Sequence, residues 1–286
     1  MRGRLIIIAG PTAVGKTDYS ISLALKYGSP VISCDSRQIY REMSIGTAVP
    51  DASQLSAVKH YFIHTHSVMR NYTAGDYEIE AVPLIEKLFA EGRDTLIMSG
   101  GSGFYIDAVC NGLDCLPDAD PVMREELTAR LKEEGVNALA EELKRIDPVS
   151  WAAIDRNNGH RVVRAIEVFR QTGRPFVSFR LQGPKERSFD IEKICLTRPR
   201  EEIYSRIDRR ALKMIDDGLV EEVRSLAAYR DRPALRTVGY TEIFRYLDGE
   251  IPIEEAVRLI QRNTRHYAKK QLTWWKRDPS VRWVTL

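Results

Sequence analysis

The chain has 286 residues, 43% of them hydrophobic and 29% charged, and 43 Lys+Arg against 40 Asp+Glu leave a formal net charge of +3. That balance excludes disordered, collagen-like and disulfide-scaffold classes, and the length suffices for one large domain or a domain carrying an insertion. No apolar run approaches the ~18 residues that a membrane span needs, so no membrane partner is expected and the setting expected is cytoplasmic.

Arg4–Ala9 is a continuous apolar run stopped by Gly10 and Pro11, the pattern of a short buried strand. The run is too short for a signal-peptide core and leads into a glycine loop rather than a cleavage site. Lys16–Tyr27 then places Tyr19, Leu23 and Tyr27, or Ile21 and Leu25, at helical spacing. Residues 31–35 predict a second strand, 61–68 a third, 76–91 a helix and 95–98 a further strand ending in Gly100-Gly101-Ser102-Gly103. Strand, loop and helix alternate, which argues for a mostly parallel α/β sheet flanked by helices.

After residue 113 the rhythm changes. Residues 120–145 and 151–171 read as helical, and no strand signal returns until 191–197. We therefore expect a helical insertion over 114–188 between the two parts, 1–113 and 189–286, of an α/β core. The remainder predicts helices over 201–215, 218–229 and 253–275.

Four cysteines (34, 110, 115, 195) form no Cys-x-x-Cys pair, so reduced, mostly buried thiols are expected. His64 and His66 would share one side of a strand, but no third ligand follows at zinc spacing. Charge is uneven: residues 113–160 hold eleven acids and six bases, whereas 258–286 hold eight bases and one acid. A basic helix is ordinarily a solvated face. Interleaving with Tyr267, Trp274, Trp275 and Trp283 favours a surface that tracks phosphates.

Gly10, Pro11, Thr12, Ala13, Val14, Gly15, Lys16 and Thr17 satisfy G-x-x-x-x-G-K-[ST] between a predicted strand and a predicted helix. The glycines let backbone N–H groups curl around a phosphate, and the helix N-terminus adds partial positive charge. Lys16 would neutralise phosphate oxygens, and the Thr17 hydroxyl would ligate Mg²⁺. A nucleoside triphosphatase would add a strand ending in a metal-binding Asp, yet residues 95–98 lead into Ser-Gly-Gly. The strand that ends in an acid is the early one, at Asp35, where parallel sheets bind ligands. That carboxylate reads as a metal ligand, a base, or a cap for the following turn. The Gly100–Gly103 cluster reads as a tight turn or a second anion loop, with Ser102 facing the same phosphate as Lys16.

These motifs, together with residues 33–40, Gly46-Thr47-Ala48-x-Pro50, 100–105, 161–168, 236–240 and 265–274, resemble the tRNA dimethylallyltransferase (tRNA isopentenyltransferase) family of bacterial type. They occur in the family's order over nearly the whole chain. Ser102 stands in place of the usual Thr, Phe104 in place of Leu, and Val49 where Lys is common, so a tRNA-phosphate contact from position 49 is lost. As in the bacterial forms, the C-terminal zinc finger of the eukaryotic forms is not expected.

The resemblance implies transfer of a dimethylallyl group from dimethylallyl diphosphate to the exocyclic amine of the adenosine 3′ of the anticodon, in tRNAs reading U-starting codons. A P-loop without triphosphatase machinery then serves an isoprenoid diphosphate, with Mg²⁺ as cofactor. It also implies Asp35 as the base, with Lys16, Ser102 and Arg210 acting on the leaving diphosphate; Arg206 is the alternative to Arg210. The expected contacts with the anticodon arm are Asp35, Ser36, Arg37, Gln38 and Gly101 in the core and Met123, Gly159, His160, Arg161, Val162 and Val163 in the insertion. A monomer is expected. Prenylation of free adenine nucleotides and a P-loop nucleotide kinase are the alternatives; a kinase would need an arginine-rich lid, whereas the insertion is acidic.

Overall fold

Strands β1 (Arg4–Ala9), β2 (Val31–Ser33), β3 (His60–Tyr61), β4 (Thr95–Ser99), β5 (Asp190–Thr197) and β6 (Arg282–Thr285) run parallel in a single sheet ordered β3-β2-β4-β1-β5-β6. The computed structural model describes residues 2–180 and 183–286. Leu5, Ile7, Ile8, Ile32, Leu96, Ile97, Met98 and Leu196 are sealed from solvent. Their strands read as unbroken apolar runs because the helices of a parallel sheet cover both of its faces.

Two compact units divide the chain: residues 2–110 with Glu186–Leu286, and Asn111–Lys185. The first holds the sheet with α1 (Lys16–Tyr27), α2 (Ala52–Ala57), α3 (Ala74–Ala90) and α4 (Gly103–Asn111). The second holds α5 (Pro121–Glu133), α6 (Gly135–Ile146), α7 (Pro148–Ala153) and α8 (Gly159–Thr172) around Leu127, Leu139, Leu143, Val162, Val163 and Ile166. Asp120 and Asp147 cap the Pro-initiated helices α5 and α7, and Asn158 caps α8. Helices α9 (Arg200–Asp216), α10 (Leu219–Ser225), α11 (Tyr240–Leu247) and α12 (Ile253–Trp275) complete the first unit.

One expectation needs correction. The strand expected over 61–68 stops at Tyr61, because Phe62 and His64 take left-handed φ values of 60° and 54° that no extended strand tolerates. The segment instead lies along 38–41: His64 N donates to Gln38 O (3.0 Å) and His66 N to Ile39 O (2.9 Å). His64 and His66 therefore diverge, the first contacting the Ser44 hydroxyl and the second Glu80. Beyond the last expected helix, residues 282–285 form the edge strand β6, paired with β5 from Ile194↔Arg282 to Thr197↔Thr285.

Candidate active site

Strands β2, β4 and β1 are neighbours, so the loops leaving their carboxyl ends lie side by side. These loops carry Asp35, Gly100–Ser102 and Gly10–Gly15. They are stitched together by Cys34 N donating to Ser99 O (2.9 Å) and Gly100 N to Ile8 O (3.2 Å). Gly10 has φ 139°, and a Cβ there would lie 2.7 Å from Leu196 O, so the start of the loop admits no side chain. Gly15 is the N-cap of α1 and offers no side-chain cap. The amides of that helix's first turn are thus left for an anion.

Lys16 is bent back onto the loop, its Nζ donating to Gly10 O (3.0 Å) and Pro11 O (2.9 Å). Burial lowers its pKa to about 8, against the pull of Asp35 and helped by Arg210. Helix α9 packs Ile203 and Ile207 with Ala13 of the loop and Ala268 of α12. Its adjacent face brings Arg206 Nε to Ala13 O (2.6 Å) and Arg210 Nη1 to Thr12 Oγ1 (3.2 Å). Burial pulls the Arg210 guanidinium below the usual arginine range.

A cavity of about 730 Å³ is lined by Thr12, Ala13, Gly15, Lys16, Thr17, Asp35, Gln38, Gly101, Arg206, Arg210, Tyr267 and Gln271, among others. A second, of about 540 Å³, is lined by Asp35, Ser36, Arg37, Gly46, Thr47, Ala48, Arg210, Arg236, Thr237, Gly239 and Tyr267, among others. Asp35, Thr12, Thr47, Ala48, Arg210, Met214 and Tyr267 belong to both walls. Lys16, Thr17 and Arg206 thus line the first cavity only, and Ser36, Arg37 and Arg236 the second only, with Asp35 between them. Pro11 and Val14 line neither cavity, and Val14 is buried in the core below the loop.

Asp35 caps its own turn: Oδ1 accepts from Arg37 N (2.9 Å) and Gln38 N (3.3 Å). Among the described residues no hydrogen bond reaches Oδ2. Gln38 turns its amide nitrogen to Thr47 O (3.1 Å) and Ala48 O (3.0 Å). Ser102 does not line either cavity. Its Oγ accepts from Ser36 N (3.0 Å), donates to Ser36 Oγ (3.1 Å), and is hydrogen-bonded to Tyr267. Reaching a phosphate from there would mean giving up these bonds.

Three residues hold this site together, of which Gln271 and Glu222 carry no expected role and Tyr267 only that of a phosphate-tracking surface. Buried Gln271 accepts from Thr12 N (2.8 Å) and donates to Gly101 O (2.9 Å), tying the P-loop to the β4 loop. Tyr267 lies one helical turn before it, its hydroxyl pushed up to about 12 by burial and by Asp35. Glu222, on α10, grips the loop at Ser44–Gly46 through backbone amides. Gln271 and Tyr267 sat within a family-like motif, but nothing in the spacing revealed partners as far along the chain as Thr12 and Gly101, 259 and 170 residues from Gln271.

In the helical unit, Val162 and Val163 are 0% and 3% exposed and belong to its core, so their side chains offer nothing to an RNA surface. Met123 is half-buried against the same core, and Gly159 faces Leu131. His160 and Arg161 are exposed on the first turn of α8. Arg164 and Glu167, from the same motif, form a buried ion pair at 2.7 Å that Arg124 joins.

A family model described as IPP transferase matches residues 38–278. The chain is 50% identical to tRNA dimethylallyltransferase 2 of Porphyromonas gingivalis over 98% of its length and 93% of that relative. It is 46% identical to the tRNA dimethylallyltransferase of Cytophaga hutchinsonii over 98% and 91%. A crystal structure of the tRNA isopentenylpyrophosphate transferase of Bacillus halodurans superposes with a TM-score of 0.73 at 38% identity, covering 99% of this chain and 90% of that one.

Proposed function

The chain belongs to the IPP transferase family, and we propose that it transfers a dimethylallyl group from dimethylallyl diphosphate to the exocyclic amine of the adenosine 3′ of the anticodon in tRNA. The observation that carries the reading is Asp35 on the shared wall of two cavities, of which only the first is lined by Lys16 and Thr17 of the P-loop. The diphosphate occupies the first cavity and the flipped-out adenine the second.

The exocyclic amine is a poor nucleophile because its lone pair is delocalised into the purine. It attacks C1 of the allyl group, the C1–O bond breaks, and the bonding pair leaves on the diphosphate. The amine proton passes to Asp35 Oδ2, the carboxylate oxygen that turn-capping leaves open. Lys16 exchanges its two carbonyl partners for phosphate oxygens, and the α1 amides and Arg210 face the same growing charge. Arg206 is held to Ala13 O and serves chiefly to shape the loop. Ser102 acts through Ser36 and Tyr267 rather than on phosphate.

Mg²⁺ fits this site in one way. Among the described residues no cluster of three His, Cys, Asp or Glu side chains could hold a metal, whereas Thr17 and Asp18 line the P-loop cavity. Such a donor set suits an ion held mainly by substrate phosphate oxygens, with the Thr17 hydroxyl as its protein ligand. When bound it offsets diphosphate charge.

The anticodon arm meets Arg37 and Arg236 at the acceptor cavity and His160 and Arg161 on α8, with the chain acting as a monomer. Among the described residues no helix is long and apolar enough to cross a membrane. Incubation with labelled dimethylallyl diphosphate, Mg²⁺ and unmodified tRNA tests the reading. Label should appear on the adenosine 3′ of the anticodon; label on free AMP or ADP with tRNA left bare would overturn it.

A further inference from the structure

We propose that Glu222 is a positioning residue for the prenyl-acceptor half of the site, a role that rests on the transferase reading above. Glu222 stands on α10, and no atom of it lines either cavity. Its carboxylate nonetheless accepts four hydrogen bonds. Oε2 takes Ser44 N (2.9 Å) and Ile45 N (2.8 Å), and Oε1 takes Gly46 N (3.0 Å) and the Tyr240 hydroxyl (2.6 Å). Three consecutive amides converging on one carboxylate are charge-assisted bonds, about twice as strong as neutral ones. Burial and the Glu222 charge push the Tyr240 hydroxyl well above the usual tyrosine range, so it remains a donor.

The loop so held is the one that shapes the site. Immediately after Gly46 come Thr47 and Ala48, which line both cavities and whose carbonyls take the Gln38 amide. Gln38 N in turn donates to Asp35 Oδ1. An unbroken path of backbone and hydrogen bonds therefore runs from Glu222 through the 44–48 loop and Gln38 to Asp35.

Two features show that this loop needs an external hold. Ala48 sits at φ 51°, in the left-handed region that non-glycine residues avoid unless their surroundings impose it. Gly46 lies against the Tyr240 ring so closely that a Cβ would come within 2.4 Å of it. Glu222 and Tyr240 thus fix one loop from two sides, by charge and by shape. Ser44 and Ile45 also line the first cavity, but neither feature touches the P-loop amides or Lys16, the groups that hold the phosphates. The role assigned to Glu222 is accordingly to align Asp35 and the acceptor pocket, not to bind diphosphate.

Glu222→Gln keeps the shape but presents an amide N–H₂ where backbone N–H groups already point. The test measures single-turnover transfer to saturating tRNA alongside the Kd of dimethylallyl S-thiolodiphosphate, with the wild-type enzyme run in parallel. A misplacement of about 1 Å away from the chemistry costs up to about a hundredfold in rate. We expect Glu222→Gln to lose roughly ten- to a hundredfold in rate with the thiolodiphosphate Kd within about twofold of wild type. Tyr240→Phe, which removes one of the four donors, should lose several-fold in rate and leave that Kd alone. A Glu222→Gln rate within twofold of wild type overturns the proposal, as does a parallel loss of rate and thiolodiphosphate affinity. Should Glu222→Gln fail to fold, Tyr240→Phe decides: an unchanged rate overturns the proposal and a selective rate loss supports it. Failure of the wild-type enzyme to prenylate tRNA would instead refute the transferase reading itself.

Discussion

Raising the pH from about 7 to about 9 should weaken diphosphate binding by about tenfold, well below the range in which an ordinary lysine loses its charge. Burial lowers Lys16 to about 8, Arg210 pushes the same way, and Asp35 opposes them without cancelling the effect. At that value the ammonium fraction is about nine-tenths at pH 7, half at pH 8 and one-tenth at pH 9. The phosphate oxygens are already ionised and need the ammonium form, so the sign is fixed. Affinity is nearly full at about pH 7 and falls as the pH rises through about 8, by about 1.4 kcal/mol over this interval. Binding also raises the Lys16 pKa, so near pH 8 complex formation should take up about half a proton. Titration calorimetry with dimethylallyl S-thiolodiphosphate, in two buffers of different ionisation heat, measures both quantities. Lys16→Ala should bind weakly and without pH dependence. A wild-type affinity that is flat to pH 9, with no proton uptake, would refute the role given to Lys16.

Two further outcomes are expected. Lys269 and Lys270 are exposed, and among the described residues neither is in an ion pair; replacing both by Ala should flatten the salt dependence of tRNA binding by roughly one to two phosphate contacts, read from the slope of log Kd against log salt. Gln271→Leu leaves buried Gly101 O without its donor and half-buried Thr12 N without its acceptor; it should lower stability by about 1–3 kcal/mol and weaken diphosphate binding, measured by denaturant unfolding and by calorimetry.

The legible parts of the fold were those whose signal is local. Arg4–Ala9, Lys16–Tyr27 and Ile253–Trp275 begin and end where apolar periodicity and glycine or proline punctuation say they should. The P-loop was legible because its motif is contiguous, with positive φ at Gly10 and Gly15 inside one short run. Residues 61–68 misled because β-branched and aromatic side chains mark a strand without revealing left-handed φ values at Phe62 and His64. Val162 and Val163 were drawn towards RNA by the motif around them, although their spacing with Ile166 is that of a core stripe. Counting charges along the tail overstated its free positive charge. Arg258 pairs with Glu255, Arg265 with Asp208 and Arg282 with Glu192, and the last two partners come from distant elements. Glu222 and Gln271 were hidden for the same reason: their partners meet them only after the sheet and helices assemble.

The claim on which the account turns is that Asp35 accepts the amine proton at the junction of the two cavities. Asp35→Asn preserves the turn, because its side-chain oxygen still accepts from Arg37 N and Gln38 N, but it removes the basicity. Single-turnover transfer with saturating tRNA and dimethylallyl diphosphate isolates the chemical step. The expected result is a rate loss of about 10²–10⁴-fold with both substrate affinities retained. A near-native rate constant, or a loss confined to tRNA or Mg²⁺ affinity, would contradict it and leave Asp35 a positioning or metal-associated residue.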